Sequence, residues 1–431
     1  MGEPLIERTV ARRVWDSRGR PTIEVEVALS DGSVGLGIAP AGASRGTREA
    51  LDRRDGGDRL GGLDVRDAVD AVRRVVAPAL RGVSLASPLA ADAALLSLDG
   101  TPAKTVLGGN VTVAASIACA RAHAASVRQP LWAALAAGNP VSIPLPEIQV
   151  FGGGAHAGRR IDVQDLMVIA RGAASVEEAL EITAEVYLAA ARLMAERGAI
   201  RGVADEGGLW PMFDTNEQAI ETLLRSIEAA GYAPGDEVAI SLDIAASEFG
   251  SGGVYRLGLE QRTVDRDGMA ELLGRWLERY PICSIEDPLA EDDEQGMRAF
   301  TKAWGSRVQI IGDDFVVTNA ALIEAAAAQG ACNAALIKPN QAGTLSESLA
   351  ALEAARRRGW SAVVSARSGE TEDTTICDLA IGWNARQIKV GSITRGERTA
   401  KWNALIRAEQ AIGASAFASG GWLRVSNAGA G

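Results

Sequence analysis

The chain has 431 residues, 47% apolar and 23% charged, with a formal net charge of −11 at pH 7. That length asks for two domains, and the balance of residue types is globular rather than disordered. The acidic surplus repels phosphate backbones, so no nucleic-acid partner is expected, and no run of about 20 apolar residues exists to span a membrane.

The opening Met1–Arg8 lacks a basic segment followed by an apolar one, so no signal peptide is expected, and the scattered cysteines lead us to expect a reducing cytoplasm. Thr22–Leu29 alternates apolar and polar residues like a half-buried strand and stops at the turn signal Ser30-Asp31-Gly32. A small-residue loop, Ala39–Gly46, comes next, then Ala-rich helical stretches over Asp64–Leu80 and Val111–Ala137. Gly138-Asn139-Pro140 marks a boundary, giving an N-terminal α+β domain over 1–138 and a second domain over 139–431. Ser175 and Glu178 form a capping box ahead of a helix that runs through Leu188.

From Val238 onward, short apolar runs end in a polar residue and alternate with helices. The run ends bear Asp243, Glu286, Asp313 and Lys338, and two later runs lead to Arg367 and Lys389. After Glu286 the steps are about 20 to 30 residues, one strand plus one crossover helix. Met269, Leu272, Leu273, Trp276, Leu277 and Tyr280 share one helical face, as do Leu345, Leu349 and Leu352 ahead of Gly359. Apolar strands alternating with helices predict a parallel sheet, most simply an α/β barrel. The last residues, Ser426–Gly431, are expected to fray.

Only two histidines occur, His123 and His156, so zinc hydrolysis and a serine triad are poorly supplied. The four scattered cysteines, Cys119, Cys283, Cys332 and Cys377, have no CxxC spacing and are expected as buried thiols. Carboxylates and lysines must then carry the chemistry. One polar residue at a strand end is uninformative, because strand ends meet solvent. Three anions followed by three cations at one barrel mouth are not explained that way. Three carboxylates on separate strands suit a hard divalent ion such as Mg²⁺. A lysine beside another ammonium and a metal can have its pKa lowered and act as a base, and Lys338 with Lys389 fits that requirement. Such a pair suits removal of a proton α to a carboxylate.

These residues lie in motifs that resemble the enolase family over nearly the whole chain. The motifs are Asp16-Ser17-Arg18-Gly19, Leu98-Asp99-Gly100-Thr101, Asp205-Glu206-Gly207-Gly208, Leu242–Phe249, Ser284–Pro288, Gly312-Asp313-Asp314, Leu336-Ile337-Lys338, Arg367–Asp373 and Gln387-Ile388-Lys389. The resemblance implies an enolase-type β/α barrel with an N-terminal α+β capping domain. It implies that Asp243, Glu286 and Asp313 bind Mg²⁺, with Ser44 ligating a second ion. Lys338 would be the α-proton base, Lys389 would hold the substrate carboxylate, and Glu206 would help the β-hydroxyl leave. Arg367 and Ser368 would grip a phosphate. His156 would contact substrate, with Gln164 and Asp165 beside it. A small phosphorylated carboxylate would be the partner, and the assembly a homodimer or larger.

The chain also departs from the family pattern. Ala366 replaces a histidine, Asp165 replaces a glutamate, Ala41 replaces a serine, and Arg45, Arg159 and Arg160 stand on loops that close over substrate. Lost imidazole and gained guanidinium groups predict a larger or more anionic substrate held partly by Arg45, as in enolase-like carboxyphosphonoenolpyruvate synthases of phosphonate pathways. The alternatives are an ordinary glycolytic enolase and a catalytically silent binding paralogue.

Overall fold

The computed structural model describes residues 3–199, 202–210 and 212–426. Strands β1 (Ile6–Trp15), β2 (Pro21–Leu29) and β3 (Val34–Ile38) form an antiparallel sheet in sequential order. In β2 the residues Ile23, Val25, Val27 and Leu29 face inward, as the alternation predicts. Glu24 and Glu26 point the other way, toward Arg12 and Arg8 on β1.

Bare backbone lets a helix approach this sheet closely. A Cβ on Gly35 would stand 2.1 Å from the Ala118 carbonyl, and one on Gly37 would stand 2.3 Å from that of Ala114. The helix Gly109–Ser126, rich in alanine and buried on nearly every face, therefore lies directly on β3. The helical stretch expected to run to Ala137 breaks instead, and a second helix covers Leu131–Ala136. Pro130 explains the break: it has no N–H to continue the ladder and excludes helical backbone at the residue before it.

The second region closes into an eight-stranded barrel. Its strands are β4 (Leu145–Gly152), β5 (Asp165–Ile169), β6 (Ala239–Asp243), then, after a small antiparallel sheet of β7 (Gly250–Ser251), β8 (Val254–Leu257) and β9 (Arg262–Asp265), β10 (Ile282–Glu286), β11 (Gln309–Gly312), β12 (Ala334–Ile337), β13 (Ser361–Ser365) and β14 (Gln387–Ser392). The sheet is not wholly parallel, contrary to the sequence expectation. β5 runs antiparallel to both β4 and β6. The connection between β4 and β5 holds only one 3-10 turn, Gly154–Ala157, too little chain for the crossover helix a parallel return needs.

The expected helices form at Val176–Glu196, Arg266–Arg279 and Leu345–Arg357. The Ser175 hydroxyl accepts from the Glu178 amide at 3.1 Å, and Glu178 in turn caps the Ala174 amide. All four cysteines are buried and unpaired. Ser426 is not frayed. It is buried, its amide bonded to the Ile282 carbonyl and its hydroxyl to that of Tyr280, while 427–431 lie outside the described residues. No helix among the described residues is long and apolar enough to cross a membrane.

Candidate active site

Asp243 and Glu286 are the last residues of β6 and β10, and Asp313 and Lys338 directly follow β11 and β12. Arg367 comes two residues after β13, and Lys389 lies inside β14 rather than at its end. All six are buried and converge at one end of the barrel. Lys389 Nζ stands 2.8 Å from both Asp243 and Glu286 and 3.5 Å from Asp165. Lys338 Nζ donates to Asp313, whose other oxygen accepts from Gln341 at 2.8 Å.

These ion pairs set the protonation states. Burial alone would depress Lys389, but Asp243, Glu286 and Asp165 outweigh it and hold the amine well above its usual range. Lys338 is raised too: burial lowers it most, and Arg367 and Lys389 oppose, but Asp313 and Glu286 carry it above its usual value. The lowered lysine expected from a neighbouring ammonium is therefore not what the chain's own groups produce. The carboxylates dominate. Glu286 is pushed well up by burial and by Asp243.

The donor set fits a hard cation. Glu286 Oε1 is buried without a hydrogen-bond partner, as is Gln164 Oε1, while Asp165 Oδ2 has only the 3.5 Å ion pair with Lys389. A buried carboxylate oxygen left unpaired is costly unless a cation meets it. Asp287, Asp313 and Asp314 also offer oxygens within 4.8 Å of one another. Asp287 accepts the amides of Asp313 at 2.9 Å and Asp314 at 2.8 Å, so it fixes the turn that presents Asp313.

A second cluster faces the lysines. His156 Nδ1 lies 3.0 Å from Asp165, and its Nε2 lies 3.9 Å from Glu206. Burial would lower the imidazole, yet Asp165 and Glu206 raise it to about 9. Gln149 donates to the same Asp165 oxygen, and the Gln164 amide nitrogen lies 3.2 Å from Asp243. Glu206 sits in the connection between the helices Val176–Glu196 and Asn216–Ala229. One narrow cleft joins both clusters and is lined also by Ser44, Ala366, Arg367 and Ser368.

The arginines expected over the substrate do not reach this cleft. Arg45 is exposed and turns back to the Ala50 carbonyl at 3.0 Å. Arg159 is exposed and pairs with Glu248 at 2.7 Å, and Arg160 is exposed. Ser44 lines the cleft, while its carbonyl accepts from Arg367. Glu49, unremarked in the sequence, meets the Arg367 guanidinium at 2.9 and 3.2 Å. Its signal was slight: one acid in a run of arginines following a glycine loop.

The family model described as "Enolase, C-terminal TIM barrel domain" matches residues 140–425, and "Enolase, N-terminal domain" matches residues 6–135. The chain belongs to the enolase family. "Enolase 1" of Desulfitobacterium hafniense (strain Y51) is 44% identical to this enolase-family chain over 414 residues, 95% of each chain. The eight-stranded barrel bearing the cleft is thus the enolase C-terminal domain, and the β1–β3 sheet with its alanine-rich helix belongs to the N-terminal one.

Proposed function

We propose that this chain is a Mg²⁺-dependent lyase that removes water from 2-phosphoglycerate to give phosphoenolpyruvate. The observation that carries the reading is the opposition, across one cleft, of Lys338, Lys389 and Asp243 to the pair His156 and Glu206, with Asp313 paired to Lys338 and Glu286 to Lys389. Asp243, Glu286 and Asp313 would hold Mg²⁺, with Ser44 for a second ion; when bound, the metal supplies positive charge to offset the dianion formed from the substrate carboxylate. Lys338 takes the proton from C2 in its neutral form, which a cation held by Asp313 would favour by relieving that ion pair. Lys389 holds the carboxylate, and Arg367 and Ser368 hold the phosphate. Glu206, steadied by His156 and Asp165, delivers a proton to the C3 hydroxyl, which leaves as water. Gln164 orients the substrate from the side of Asp243. Residues 1–138 form the cap and 139–431 the catalytic barrel, in a cytoplasmic dimer or larger assembly.

The placement of Arg45, Arg159 and Arg160 removes most of the reason for a larger anionic substrate. Of those departures only Ala366 and Asp165 line the cleft, and the 44% identity to a protein named Enolase 1 favours the ordinary dehydration over the phosphonate-pathway reaction. A silent paralogue would have no physical reason to keep like charges buried together.

Turnover of 2-phosphoglycerate, followed by absorbance of the enol product, tests the proposal. Activity should vanish with a chelator and return with Mg²⁺. Lys338→Ala should abolish solvent-hydrogen exchange at C2. A Mg²⁺-loaded chain inert toward 2-phosphoglycerate would overturn it, as would exchange surviving in Lys338→Ala.

A further inference from the structure

The turn Asp16–Gly19 of the N-terminal domain is docked against the turn 367–370 that follows β13. The Ser17 amide donates to the Glu370 carbonyl at 2.8 Å, and the Ala41 and Gly369 backbones exchange two bonds of 2.9 Å. Between them lies Arg18, its side chain only 6% exposed. Its guanidinium donates to Ser368 Oγ at 3.0 Å, to the Ala41 carbonyl at 2.8 Å and to Asp16 at 3.2 Å. The space is shaped for it: a Cβ on Gly369 would fall 2.3 Å from the Arg18 terminal nitrogen and 2.5 Å from the Asp16 carboxylate. Burial lowers Arg18, but an arginine's range is so high that it stays charged.

We infer that Arg18 is a positioning residue for the substrate's phosphate, acting through Ser368 and through the base of the Ser44 loop. A hydroxyl that accepts from a guanidinium must turn its own proton elsewhere. Ser368 lines the cleft, and its hydroxyl proton has no acceptor among the described residues. The hydroxyl is thereby set as a donor toward an anionic oxygen in the cleft. Ala41 lies three residues before Ser44 in the same loop, so one buried cation fixes both the phosphate-gripping serine and the approach to Ser44. The N-terminal domain in this way lines the site with Gly42, Ala43 and Ser44 and orders it from behind through Arg18.

The inference rests on reading the 367–368 turn as the phosphate site, so its test uses inorganic phosphate as well as substrate. Binding of phosphate in the presence of Mg²⁺, by calorimetry, and KM and kcat for 2-phosphoglycerate are measured for Arg18→Met, Ser368→Ala and the double variant. Loss of one charge-assisted hydrogen bond predicts about tenfold weaker phosphate binding and an equal rise in KM, with a smaller change in kcat. Arg18→Met should add little in the Ser368→Ala background, and Arg18→Lys should recover part of the loss. If Arg18→Met does not fold, Arg18→Lys alone and combined with Ser368→Ala carries the same comparison. Unchanged phosphate affinity in a folded Arg18 variant, or fully additive losses, overturns the inference while leaving the dehydration intact. A wild-type chain that binds neither phosphate nor 2-phosphoglycerate overturns the site reading and this inference with it.

Discussion

The carboxylate of Glu49 and the guanidinium of Arg367 meet fork to fork, at 2.9 and 3.2 Å, with both side chains all but removed from solvent. Arg367 also donates to Asn340 Oδ1 at 3.1 Å and to the Ser44 carbonyl at 2.9 Å. Four of its five N–H groups are thus committed within the chain, and Nε–H is left for a ligand. A bidentate grip on an anion is therefore not open to Arg367 in this arrangement.

Glu49→Gln would strand a buried cation. Breaking such a pair from one side costs about 3–5 kcal/mol, so denaturant unfolding should show a loss of that order. Inorganic phosphate should raise the melting temperature of the variant more than that of the wild type, because the freed guanidinium seeks an anion. Equal phosphate shifts in both proteins would show that the fork is not open to a ligand.

His156 gives the site a signature on the alkaline side. Its folded pKa is raised to about 9 from an ordinary value near 6.5, with burial opposing and Asp165 and Glu206 prevailing. A group raised on folding contributes its full stability below the unfolded pKa and loses it as pH climbs through the folded one. Stability should therefore decline between about pH 6.5 and 9 in the wild type, and this component should be absent from His156→Gln. Asp165 works in the opposite window: burial would raise it, but His156 and Lys389 lower it, so its share is lost only in acid. Melting temperature against pH for both proteins checks the sign. Parallel curves would contradict a charged His156.

Gly35 is a packing requirement rather than a flexible joint. Any Cβ there would press on the helix backbone at Ala118 and Ala122, which has no side-chain end to swing aside. Gly35→Ala should cost at least the 1–3 kcal/mol typical of overpacking. A denaturant midpoint unchanged from wild type would mean that the helix does not lie on β3 so closely.

Much of the barrel was legible because a short apolar run ending in a charged residue needs only local chemistry to recognise. Asp243, Glu286, Asp313 and Lys338 were placed this way. β4 was not legible. Its interior carries Glu147 and Gln149, which break the apolar run and look like loop. In the fold, Glu147 accepts from Ser241 and from Gln387 at 2.7 Å, and Gln387 accepts from Gln309 at 3.0 Å, so polar side chains satisfy one another across the barrel. The resemblance placed His156, Glu206, Gln164 and Ser368 in one cleft, yet which group neutralises which depends on distances no motif carries. Arg18 stood inside a quoted motif without a role, and the loop arginines looked functional until their partners, Ala50 and Glu248, were visible.

The reversed strand has a consequence for how the chain reaches its own catalytic rim. Because β5 descends from the mouth to the floor, the helix after it climbs back up the outside, and the turn between that helix and the next comes to rest beside the cleft instead of beneath it. Glu206 rides on that turn. Had β5 run with its neighbours, the same residues would sit at the far end of the barrel, out of reach of the acid role proposed for Glu206. A single inverted segment thus turns a connection normally spent on scaffolding into one more arm beside the cleft.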